Sequence, residues 1–237
     1  MRNVKILFLK ELKSYFNSPM AYIFLVLFVI FGGYFFTNTF FLINQSDLRS
    51  LFSVIPLIYL FFIPAITMSL IAKESNSGTM EIISTLPIKD VEFVLGKFLA
   101  ATTLVIIGLG FTLVHFFTLL AVGTNIDFGA ILCGYIGLIL VGGFYASIGT
   151  FTSSLTDNQV VAFIIAITIV IVFFLLDKLL VFMPTGMSGL IQFISVDYHL
   201  SNISRGVIDS RNLVYFGTMI TIFLLTTVRI LEMRKWR

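Results

Sequence analysis

The chain of 237 residues carries two histidines, one cysteine and twelve Asp and Glu with which to do chemistry, and their spacing excludes most of it. A nucleotide-binding loop needs Gly-x-x-x-x-Gly-Lys-[Ser/Thr], so that backbone N–H groups cradle the phosphates and the lysine reaches them. Gly96-Lys97 is preceded at the required position by Val91 and followed by Phe98, so that loop is not formed. A hydrolytic site within a membrane needs paired carboxylates, a His-Glu zinc motif or a serine–histidine arrangement. The apolar runs hold no Glu-x-x-His, no His-x-x-x-His and no pair of acids. His115 lies inside such a run, where an interhelical hydrogen bond is the expected role ahead of a substrate path. Asp177-Lys178 reads as interfacial, and Asp157 as the cap of the helix that follows it. Asp197, Tyr198 and His199 supply too few convergent ligands for a metal. Cys133 is a small packing residue, and a lone cysteine cannot form an intrachain disulfide. Neither a cofactor of its own nor a nucleic-acid partner is expected.

The elements that must hold these residues are set by composition. Hydrophobic residues make up 58% and charged residues 11%, against about 25% charged in soluble domains. Mean hydropathy is +1.05, and the charges cluster between long apolar runs. In hydrocarbon every backbone N–H and C=O must be paired within the protein, so a span is a helix or part of a closed barrel. Barrel strands alternate apolar and polar residues over about ten positions. These runs are continuously apolar over roughly twenty residues, the length that crosses about 30 Å as a helix. About six spans follow: 20–43, 51–72, 93–122, 128–153, 159–182 and 213–231. Pro56 and Pro64 lie within the second. The fourth carries small residues at four-residue spacing (Gly129, Cys133 and Gly137; Gly142 and Ala146; Gly143 and Ser147) that let helices approach closely, within one subunit or across a dimer.

Ahead of the first span, Val4, Leu7, Phe8, Leu12 and Tyr15 share one helical face and Arg2, Lys5, Lys10 and Lys13 lie on the other. That pattern predicts a helix in the membrane interface, ended by Pro19. It is too long for the basic region of a signal peptide. Lysine and arginine near the span ends number eleven on the side of both termini and residues 73–92, and four on the other (Arg49, Lys178, Arg205, Arg211). The positive-inside rule therefore places both termini and the 73–92 segment in the cytoplasm. No internal repeat of the kind that builds inverted-repeat transporters is evident.

Residues 73–92 are the longest strongly charged segment between spans. Gly78 is expected to break the second helix, with Ser77 or Thr79 capping a short new one and Glu81 in its first turn. Met80, Ile83 and Leu86 are spaced to share a face, Pro87 stops the helix, and Asp90 is placed to cap the third span. A short apolar-striped helix outside the bilayer packs on the membrane surface or on its own N-terminal helix, or docks a partner in helix-in-groove fashion.

The run AKESNSGTMEIISTLPIKDVEFVLGKF resembles the coupling region of ABC-2 type exporter permeases. There an acidic residue, Gly-Thr, a second acidic residue, a helix, a proline and a later Gly-Lys pair follow in order. Here these are Glu74, Gly78-Thr79, Glu81, Pro87 and Gly96-Lys97. LFLKELKSYFNSPMAY, with Lys5, Lys10, Glu11 and Lys13 in or beside it, resembles the family's interfacial helix. RGVIDSRNLVYF resembles the approach to its last span. The segments look most like the permease subunit of the gliding-motility-associated ABC exporter.

The resemblance implies one permease domain over residues 1–237, an all-α membrane protein with an N-terminal interfacial helix, a cytoplasmic coupling helix and an outer segment of short half-inserted helices over 183–212. It implies a second permease subunit, and an ABC ATPase subunit that binds the ATP and receives Glu74, Gly78, Thr79, Met80, Glu81, Ile83, Leu86 and Pro87. The expected setting is the bacterial cytoplasmic (inner) membrane, in contact with membrane lipid. The alternative is a secondary transporter or channel not driven by ATP, against which stands the near absence of ionisable groups in the first four spans.

Overall fold

The computed structural model describes residues 2–42, 47–124, 126–179, 188–207 and 209–234. Among them every regular element is a helix: α1 (Arg2–Asn17), α2 (Pro19–Thr37), α3 (Arg49–Thr67), α4 (Ala72–Asn76), α5 (Thr79–Thr85), α6 (Asp90–Val122), α7 (Phe128–Leu155), α8 (Gln159–Leu179), α9 (Ser188–Ile194), α10 (Val196–Ser204) and α11 (Ser210–Arg234), with a π-helical turn, Asn38–Leu42, prolonging α2. Six of these segments are long and apolar enough to cross a membrane: Pro19–Phe41, Arg49–Asn76, Asp90–Val122, Phe128–Leu155, Gln159–Leu179 and Ser210–Arg234. The chain is a multi-pass, all-α membrane protein. Ile43, residues 180–182 at the expected end of the fifth span, and residues 183–187 of the outer segment lie outside the described residues.

The bundle is built around α7, whose apolar window is 72% buried where that of α8 is 17% buried. Glycines make this possible by removing the side chain where a neighbour crosses. A Cβ on Gly149 would sit 1.9 Å from Thr67 Oγ1 of α3, and one on Gly134 would sit 2.2 Å from the Phe52 ring. Gly137 faces Leu200 of α10, Gly142 faces Val105 of α6, and Gly143 faces Ile220 of α11. The small residues of the fourth span thus meet different helices of the same subunit.

Several local expectations are corrected. The third span starts at Asp90, with Lys89 as its cap: the Glu92 carboxylate accepts from the Lys89 backbone N–H at 3.3 Å, so Asp90 is the first helical residue. Among the described residues His115 makes no interhelical hydrogen bond; Nδ1 lies 3.2 Å from Thr112 O in its own helix, and the ring packs on Phe36, centroids 4.7 Å apart. At the far end, α10 buries Val196, His199, Leu200 and Ile203 and packs on α7 and α8. His199 spends both ring nitrogens on Asn212 Oδ1 (2.7 Å) and Phe193 O (3.0 Å), and stacks on Tyr215. Lys178 reaches Asp197 at 2.6 Å.

Candidate functional site

The second span does not run straight into the charged segment. After Pro64, α3 stops at Thr67, the chain bends through residues 68–71, and α4 begins at Ala72. A bend leaves backbone groups unpaired, and in a membrane protein these must find partners. Two side chains supply them. Ser153 of α7 accepts from the Ile71 and Ala72 N–H groups (2.9 and 3.0 Å) and donates to Met68 O (2.9 Å). Tyr15 of α1 donates to Ile66 O at 2.8 Å, and burial, with a smaller push from the Glu11 carboxylate, raises its phenol far above the ordinary value. A bend at residues 68–71 thus precedes the break at Gly78, where the chain leaves the Arg49–Asn76 segment for α5. Gly78 adopts φ +70°, a left-handed turn that costs glycine nothing, and caps α5. Ser77 and Thr79 do not cap; both hydroxyls donate to Glu74 O (3.3 and 3.1 Å).

The interfacial helix seats on α6 at Gly96. A Cβ there would lie 2.7 Å from Leu7 Cβ and 3.3 Å from the backbone of Val4 and Phe8. Leu7 and Tyr15 are both buried, so the apolar face of α1 meets protein. The next residue locks the arrangement. Lys97 is 1% exposed, its Nζ 2.6 Å from Glu11 Oε1 and 2.9 Å from Glu74 Oε2, and 4.9 Å from the Phe93 ring centroid. Glu74 Oε1 also meets Lys10 at 3.2 Å. Two cations and two carboxylates cancel, which is how so buried a lysine remains tolerable. The cluster ties together α1, α4 and α6. Asn3 adds a tether, donating to Glu92 Oε2 at 3.0 Å beside the α5–α6 joint.

A second clamp holds the other flank. Ser75 donates to Asp157 Oδ1 at 2.5 Å, and Arg234 Nη1 lies 2.9 Å from both Asp157 Oδ1 and Ser75 Oγ. These bonds, led by that from Ser75, hold the Asp157 carboxyl below its usual range. Asp157 is thus no helix cap. Asn158 fills that role, its Oδ1 accepting from Val160 N at 2.9 Å.

Between the clamps, α5 presents two faces. Met80 and Ile83 pack against the core, while Ile82 (66% exposed) and Leu86 (48% exposed) face outward. Leu86 does not share the Met80–Ile83 face, because the residue before Pro87 is forced to extended backbone, φ −78° and ψ 151°. Glu81 sits in the first turn of α5, as expected. Lys5 and Lys13 are exposed on α1.

Of the residues named from sequence, the structure gathers Lys10, Glu11 and Glu74 into one ion cluster and gives Gly78, Thr79, Met80 and Ile83 structural places. Sequence reasoning missed the partners from elsewhere in the chain: Tyr15, Ser153, Asp157 and Arg234. Lys97 stood out only as half of a motif. A lysine seven residues into an apolar helix was the available signal, since a buried cation demands a carboxylate partner.

A family model described as ABC-2 family transporter protein matches residues 6–228. A search of curated proteins gives no match.

Proposed function

Because the chain belongs to the ABC-2 family of transporter proteins, we propose that it is the permease subunit of an ATP-driven exporter, with α5 as the docking helix for a separate ABC ATPase. The observation that carries this reading is a short helix that follows directly on α4, which two clamps fix to the bundle, with apolar Ile82 and Leu86 turned away from its own core. A surface helix with unspent apolar residues and a fixed base is built to enter a groove. With no phosphate-binding loop in the chain, ATP is bound and hydrolysed by the partner. The lysine and arginine asymmetry favours a cytoplasmic side for both termini and α5, and the setting that the family resemblance favours is a bacterial inner membrane. The translocation path would form with a second permease subunit, identical or different. The wording of short segments favours a gliding-motility exporter as the specific assignment.

The test is to solubilise the protein from its native membrane and identify the chains that copurify. A soluble ATPase with a phosphate-binding loop, recovered with wild type and reduced at least about tenfold by Ile82→Glu with Leu86→Glu, supports the docking role. Glu74 is not the residue to reverse, because it is committed to Lys97 and Lys10 inside the protein. Proton- or sodium-driven uptake by the protein alone, in vesicles lacking ATP, would favour the secondary transporter.

A further inference from the structure

A cleft of about 690 Å3 opens between α1, the α3–α4 bend, α5 and the first turn of α8, within the range of small-molecule sites. Its charged lining is mostly spent. Lys10, Lys97, Glu11 and Glu74 neutralise one another, and Ser18, Ser77 and Thr79 donate to backbone carbonyls. Lys73 is different: it is exposed and has no ion partner among the described residues. Ser14, Ser69 and Gln159 also line the cleft, with no side-chain hydrogen bond among the described residues. One uncompensated cation and three unused donors, from α1, the bend, α4 and α8, therefore share a single concavity.

The cleft's level in the fold says what chemistry would use them. Pro19 and Met20 open the first span, Leu70 closes the apolar part of the second, and Gln159 opens the fifth. This is the depth of lipid headgroups. Immediately below, α3 packs on both α2 and α8, and Leu57 and Phe61 of α3 and Val160 and Ile164 of α8 are exposed apolar side chains. We propose that the cleft binds one anionic phospholipid, its phosphate held by Lys73, Ser14, Ser69 and Gln159 and its acyl chains lying along α3 and α8. Basic pockets between spans at a membrane surface take anionic headgroups in this way. A free phosphate would satisfy the donors but make no use of the exposed apolar side chains of Val160 and Ile164 beside Gln159. Ile82 borders the cleft, so a docked ATPase would roof it; the lipid lies beneath and binds the permease alone.

The full chain in detergent is titrated with phosphatidylglycerol and phosphatidylcholine of identical acyl chains and read by native mass spectrometry. Wild type is expected to retain phosphatidylglycerol about tenfold over phosphatidylcholine. Lys73→Gln with Ser69→Ala brings the two to parity, and Lys13→Gln, on α1 outside the cleft, leaves the preference intact. Neither side chain makes a polar contact among the described residues, so the paired substitution is expected to leave the fold in place. Excess glycerol 3-phosphate leaves the lipid adduct in place. Equal retention of the two lipids by wild type, or a preference that survives the paired substitution, overturns the site. Displacement by glycerol 3-phosphate overturns the lipid as its occupant.

Discussion

At the scale of single residues, Gly96 and Lys97 form a two-part fastening. The glycine admits α1 to the surface of α6, and the lysine then pairs with carboxylates from α1 and α4. Removing one member of a buried pair leaves the others uncompensated, at about 3–5 kcal/mol. Glu11 and Glu74 retain 14% exposure, so the lower end applies. Lys97→Ala is expected to destabilise the protein by about 3 kcal/mol, read as unfolding in detergent. Lys97→Met with Glu11→Gln recovers part of that loss by removing both charges of the shortest pair. Gly96→Val acts on the other half: its side chain has no space against Leu7, so α1 must lift. The expected outcome is faster modification of a cysteine introduced in place of Leu7 (8% exposed), measured by maleimide labelling. Labelling no faster than in the Gly96 parent would show that α1 is not seated there. The sequence made the amphipathic face of α1 plain from Val4, Leu7, Phe8, Leu12 and Tyr15. It gave no means of telling that the face meets α6, since an apolar stripe is equally suited to lipid and to protein.

At the scale of elements, the unit of interest is α4–α5, held at Glu74 and again at Ser75. The Ser75 anchor depends on pH through Asp157. The Asp157 carboxyl titrates lower in the folded state than in the unfolded chain. The unfolded state therefore binds the proton more readily, and stability from this clamp rises with pH through the acid range. It is complete above the ordinary aspartate value of about 4 and disappears as pH falls through the lower folded value. Asp157→Asn should accordingly unfold at lower temperature than wild type near neutrality, and the gap should close as the acid range is entered. A gap that stayed constant with pH would mean that the bonds to Ser75 and Arg234 do not depend on the charge. Element existence was legible here: Gly78, Glu81 and Pro87 mark the short helix, and the structure has it at Thr79–Thr85. Its supports were not. The Ser75–Asp157–Arg234 contact joins residues up to 159 positions apart, and a turn aspartate next to an asparagine reads locally as a cap. The α3–α4 bend likewise depends on Ser153 and Tyr15 from other helices.

At the scale of the whole molecule, the apolar runs and charge clusters carried the architecture, because the bilayer leaves so few ways to satisfy a backbone. Span boundaries moved by a few residues where capping differed, as at Lys89. The short helices α9 and α10 fit the punctuated composition of that region. The functional proposal belongs to this scale, since it requires α5 to project from the bundle on a fixed base toward a second protein. Photo-crosslinking tests it most directly: a photoreactive residue is placed at Ile82 in one variant and at Ile222, exposed on the sixth span, in another, and native membranes are irradiated. The prediction is a crosslink from position 82 to a soluble ATPase and none from position 222. An ATPase adduct at neither position, with lipid as the sole adduct at 82, would contradict the docking role of α5.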